Sequence, residues 1–158
     1  MPPVTLLALV LAVSAHLGIS PSPRVVAAIV AAVEAEREPV FGSAAKDATN
    51  LVIWCGGETG CVEHAIAGDH GISRGPWQLQ GACGLLPVER HPACWLALAA
   101  WSLKLCRNRP DPERMSALAS GSCARGHVVS RHRYELVAEA IRAVDPDDIS
   151  PEQWAELP

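Results

Sequence analysis

Lysine and arginine never form a stripe in this chain, aromatic side chains are few, and no Cys-x-x-Cys pair occurs. Each absence removes a class of function. Without a basic stripe, and with a formal charge of −4, the chain has no electrostatic footprint for nucleic acid. The modest excess from Arg125 to Arg133, three Arg and two His, reads as a solvated helix start. Zinc sites announce themselves by closely spaced cysteines, and the six histidines show no ligand spacing, so neither a metal nor an organic cofactor is implied. Ser-His-Asp hydrolysis lacks a Gly-x-Ser-x-Gly nucleophile elbow. The apolar run over 4–15 is too short to span a bilayer comfortably. There is no internal repeat and no low-complexity tract.

What is present suits one domain. A length of 158 residues supports a single sizeable core, and the 49% hydrophobic content, rich in Ala, Val and Leu, favours packed helices. Five Trp against one Phe and one Tyr suggest that some tryptophans line a cleft, with core filling the alternative for any one of them. The run over 4–15 has the length of a signal-peptide core, and Val13-Ser14-Ala15 offers a small-residue cleavage site. Residues 1–15 are therefore expected to be a leader and 16–158 the domain, with its core over about 24–144. The leader has no Lys or Arg ahead of its apolar run, and a helix packed on the domain is the alternative. Six cysteines at 55, 61, 83, 94, 106 and 123 point to three disulfides and to a secreted, periplasmic or cell-envelope protein. Of the fifteen possible connectivities, nearest-neighbour pairing is the first expectation.

Pro23 opens a helix with an apolar stripe at Val25, Val26, Ile29, Val30 and Val33, which Pro39 stops. A second helix is expected from about Ala44 to Cys55, with Gly56-Gly57 fraying its end before Glu58. The glycine-rich stretch from Gly68 to Gly84 reads as loop or short β-hairpin. Cys94 to Cys106 reads as a buried helix, Glu113 to Ala119 as a short one and Ser130 to Val144 as the last strong one. The tail from Asp145 is acidic and punctuated by proline.

Glu58 is the chemically most informative residue. A carboxylate ending the apolar run Leu51-Val52-Ile53-Trp54-Cys55, ahead of a loop and Gly75-Pro76-Trp77-Gln78-Leu79-Gln80, suits general-acid chemistry on a sugar chain. An apolar wall, to which Trp54 four residues earlier would contribute, disfavours a carboxylate's charged form. Glu58-Thr59 followed by Asp69-His70-Gly71-Ile72-Ser73-Arg74-Gly75-Pro76-Trp77-Gln78-Leu79 resembles the lytic transglycosylase and goose-type lysozyme pattern. In that family a Glu-Ser pair precedes a Ser- or Gly-rich turn and Gly-Leu-Met-Gln-Ile. The resemblance covers roughly residues 24–142 and is specific over 51–80, with Thr59 in the place of Ser and Pro76-Trp77 in that of Leu-Met.

The resemblance implies a mostly α, lysozyme-like helical domain with a small irregular or β lobe. It implies cleavage of the β-1,4 bond between N-acetylmuramic acid and N-acetylglucosamine in a peptidoglycan glycan strand. Glu58 would be the acid and base. Asp69 would be the second carboxylate, positioning water, with an Asx-turn as its alternative and Glu63 a weaker rival. Where no second carboxylate acts, the family's lytic branch uses the substrate's own C6 hydroxyl. Gln78 takes the family's groove-lining Gln position; Gln80, on the same face if the stretch is extended, joins Ser73 and Trp77 as candidate substrate contacts. The family's Tyr-Asn-Ala-Gly segment is missing from Ser120 to Gly126, and Tyr134, later on a helix, reads as packing. Two other readings stand beside the enzyme: a secreted, disulfide-braced lysozyme-fold module that binds glycan without turnover, and a structural or lysis-accessory phage protein.

Overall fold

The computed structural model describes residues 5–64, 67–68, 71–124 and 127–144. The chain is mostly helical, and its centre is helix α3, Ala44–Thr59, preceded by α1 (Leu6–His16) and α2 (Pro23–Glu34). After α3 come the one-turn α4 (Gly81–Gly84), α5 (His91–Leu105), the short α6 (Ser116–Ser120) and α7 (Val128–Ala143). Single 3-10 turns at Val88–Arg90 and Asp111–Glu113 lead into α5 and α6. Helices α1, α2, α5 and α7 all pack on α3. From Asp47 to Cys55 every residue of α3 is buried, because its neighbours cover it on all sides.

Both ends of α3 are fixed locally. The Ser43 hydroxyl accepts from the Lys46 amide at 3.2 Å as its N-cap. At the other end Gly60 takes the left-handed conformation (φ 74°), and its amide donates to the Gly56 carbonyl. The helix therefore runs through Gly56-Gly57 instead of fraying there, four residues beyond the sequence expectation. α2 ends at Glu34, ahead of Pro39, and α5 begins at His91 with Pro92 in its first turn. α5 is also less buried than its composition suggested, with Trp101 and Leu105 exposed.

The apolar run expected to be a leader forms α1 in this chain, with Leu9, Val10 and Val13 in the common core. Each fully buried side chain of this kind contributes about 1.5–3 kcal/mol, so cleavage near His16 would remove a real share of the core. Cysteines pair as nearest neighbours, Cys55–Cys61, Cys83–Cys94 and Cys106–Cys123. Three such bridges belong to an oxidising compartment. Among the described residues no helix is long and apolar enough to cross a membrane. The glycine-rich stretch forms two isolated antiparallel bridges, Gly68 with Ser73 and Arg74 with Leu79, and among the described residues it builds no strand.

Candidate active site

Glu58 lies in the last turn of α3, where the negative end of the helix dipole opposes a carboxylate. The opposition is met from α7. Arg133 Nη1 donates to Glu58 Oε1 at 2.7 Å, across 75 residues of sequence. The Arg133 side chain is 9% exposed and that of Glu58 34%, so the cation is buried and the carboxylate stays accessible. The guanidinium also lies over the Trp54 ring, 4.5 Å from its centroid, and Trp54 in turn tilts against Trp95 at 5.7 Å. The apolar wall expected from Trp54 is thus covered by a cation on the side of Glu58.

The glycine pair acquires a different meaning here. A Cβ on Gly57 would stand 2.7 Å from Arg133 Nη2 and 2.9 Å from Nε, and one on Gly56 would stand 3.1 Å from Ile19 Cδ1. Bare backbone lets the guanidinium lie against the helix and reach its partner. Beyond Glu58 the chain is clipped back by Cys55–Cys61, and Cys61 itself has a left-handed backbone (φ 61°), a conformation that costs a non-glycine residue about 1–2 kcal/mol.

The loop that carries the family-like motif is pinned to the same helix. The Thr59 hydroxyl donates to the Pro76 carbonyl at 2.8 Å, and Trp77 Nε1 donates to the Leu51 carbonyl at 2.9 Å. Trp77 is consequently a core residue, 4% exposed. Gln78 occupies a left-handed turn position (φ 49°) instead of an extended one, so it does not share a face with Gln80 in the way alternation predicts. Its Oε1 accepts from the Gly68 amide at 2.9 Å and its Nε2 donates to the Gly75 carbonyl at 3.0 Å, bracing the loop from inside. Buried Ser73 accepts from Gln80 Nε2 at 3.2 Å, while Gln80 is exposed. Asp69 lies outside the described residues. Glu63 faces Arg24 at 3.5 Å and belongs to a surface ion-pair group with Glu89.

Two cavities flank the Trp54–Arg133 contact. One, of about 620 Å³, lies between α3, α7 and the Asp111–Glu113 turn and includes Trp54 and Tyr134. The other, of about 450 Å³, lies between α1, α3 and α7 and includes Gly57 and Arg133. Glu58 lines neither of them and is partly exposed. Tyr134 is exposed at 46% and lines the larger cavity. Among the described residues no three His, Cys, Asp or Glu side chains converge to hold a metal.

Arg133 is the site residue that sequence reasoning missed. A signal for it existed: Ser130, Arg133, Ala140 and Val144 fall on one buried stripe of α7 and its cap, and an arginine on such a stripe needs a partner. No protein-family model, no curated protein and no solved structure matches this chain.

Proposed function

We propose that the chain is a peptidoglycan-cleaving glycosidase of lysozyme-like architecture, exported to the cell envelope or beyond, with Glu58 as its acid and base. One observation carries the reading: a single accessible carboxylate stands on the clipped end of a helix buried from Asp47 to Cys55, with the motif-bearing loop bonded to that same end through Thr59 and Pro76. Arg133 engages Oε1, while Oε2 accepts no hydrogen bond among the described residues. Oε2 is then the atom that carries the proton to the glycosidic oxygen as the C1–O bond breaks. The resulting carboxylate takes a proton back from the sugar's C6 hydroxyl, closing a 1,6-anhydro ring, or from water, leaving a reducing end. Asp69 would position water in the second case. Exposed Gln80 is the group offered to a sugar, and Ser73, Trp77 and Gln78 shape the loop behind it.

A zymogram against purified peptidoglycan tests the reading directly. Glu58→Gln removes the transferable proton, and clearing should drop by about 10²–10⁴-fold, equivalent to about 3–5 kcal/mol of barrier. Product analysis separates the two routes, and the lytic one is favoured here. The thermal midpoint is the control, since the glutamine still offers Arg133 an acceptor. Clearing by Glu58→Gln at the native rate would end the catalytic assignment.

The Arg133 pair supports a second reading, a disulfide-braced glycan-binding module, because it already occupies one oxygen of the carboxylate. Such a module would sediment with insoluble peptidoglycan and give no clearing.

A further inference from the structure

Residues 35–43 cross from α2 to α3, and two carboxyl groups decide how the crossing is held. Glu36 stands at its start, with its amide bonded to the Val33 carbonyl at 3.3 Å. Asp47, in the first turn of α3 and 0% exposed, accepts from the Val40 and Phe41 amides at 2.7 Å each, so both its oxygens are engaged. Phe41 stacks on Trp95 with 6.1 Å between ring centroids, and Val40 and Phe41 form part of the wall of the larger cavity. Gly42, at φ 98°, then turns the chain into the Ser43 cap.

Glu36 has no support for a charge in this arrangement. Both its carboxyl oxygens are buried, and among the described residues no N–H or O–H donates to them. A carboxylate enclosed in this way has lost its hydration without gaining donors, so the neutral form is favoured. The charged group that acts on it is Asp47 of α3, of like sign. The other elements packed on α2 offer no relief among the described residues. Glu89 of the Val88–Arg90 turn is paired with Arg24 at the far end of α2, and His16 of α1 faces Glu139. His91 of α5 donates to the Leu86 carbonyl, while Lys46, Arg90 and Lys104 form no ion pair with Glu36. On its own segment Glu34, Arg37 and Glu38 are exposed. Burial first, and then Asp47, push the Glu36 carboxyl up to about 8. Above that pH two like charges share one enclosed site, with two amides to serve both.

We propose that Glu36 and Asp47 form a pH-sensitive latch on residues 35–43. Protonated Glu36 keeps the crossing on α3. When its proton passes to solvent, the crossing shifts towards a released state, in which the Val40 and Phe41 amides leave Asp47 and water reaches both carboxylates. Release takes Val40 and Phe41 off the wall of the larger cavity, so the latch also sets the shape of that cavity. The inference does not depend on the role of Glu58.

The test is hydrogen exchange on the full-length chain labelled with ¹⁵N, corrected for the intrinsic pH dependence of exchange. Protection of the Val40 and Phe41 amides should fall by about tenfold between about pH 5 and about pH 9, where latched and released Glu36 differ in protonation. At each pH it should lie below that of the Leu51 to Cys55 amides, since the crossing lets go without the core. Glu36→Gln, neutral throughout, should hold it constant. Should that variant fail to fold, carbon-13 detection of the Glu36 carboxyl in the native chain decides, because the fall should level off where that group titrates. Unchanged Val40 and Phe41 protection overturns the inference, since the Glu36 side chain would then reach water without moving the crossing. An equal fall in Glu36→Gln does so too. So does protection equal to that of Leu51 to Cys55, because the crossing would then open only with the whole chain.

Discussion

The two ends of α3 treat a carboxylate in opposite ways. At the N-terminal end Asp47 is fully buried and accepts from the Val40 and Phe41 amides, both at 2.7 Å, from within seven residues of sequence. The helix dipole favours it there. Glu36 joins it: burial, and then the hydrogen bond and charge of Asp47, push the Glu36 carboxyl up to about 8 from 4.5. At neutral pH Glu36 therefore keeps its proton beside the charged Asp47. At the C-terminal end Glu58 opposes the dipole, has among the described residues no local donor like those of Asp47, and is met by a cation from 75 residues away. A carboxylate suited to the helix's field is satisfied nearby and disappears into the core. One that opposes it stays accessible, and accessibility is what acid–base work on a substrate needs.

The contrast can be broken at its N-terminal side first. Asp47→Ala orphans the Val40 and Phe41 amides, and denaturant titration should show a loss of about 3 kcal/mol; a loss below about 1 kcal/mol would mean that the loop before α3 does not depend on it. Arg133→Met should cost about 2 kcal/mol, less than a fully buried pair because Glu58 is partly solvated. Combining it with Glu58→Gln should add little further, the coupling expected of a pair.

Stability should also depend on pH through Glu36, whose folded-state pKa is raised. Its contribution is fully present below about 4.5 and is lost as pH climbs through about 8. Partial solvation limits the decline to about 1–2 kcal/mol, and Glu36→Gln should flatten the curve between those limits. The smallest effect is Gly57→Ala. Helix propensity alone predicts a gain of about 1 kcal/mol, but the new Cβ meets the guanidinium of Arg133. A thermal midpoint slightly lower than native supports that contact, and a clear rise refutes it.

Periodicity made the helices legible. The stripe of Val25, Val26, Ile29 and Val33 and the apolar run from Leu51 to Cys55 both lie in the core, and the nearest-neighbour cysteine pairs follow from short connections between packed helices. What periodicity could not reveal is what meets a given face. Gly56-Gly57 looked like a helix breaker because its neighbour, Arg133, arrives from another element. Trp77 looked like a groove residue because its indole partner, the Leu51 carbonyl, is tertiary. Gln78 broke the alternation argument through one backbone angle. Local rules read the elements, and the surroundings of Glu58 were set by contacts between them.

The Cys55–Cys61 clip has a consequence for motion. The last turn of a helix ordinarily frays, and its amides exchange with solvent through small, local openings. Here a covalent ring encloses Gly56 to Gly60, so that turn cannot unwind by itself. The Thr59 and Gly60 amides should exchange deuterium at rates close to those of the buried middle of α3, and accelerate once the bridge is reduced. Glu58 would then ride on the slowest-exchanging part of the molecule while its side chain meets solvent.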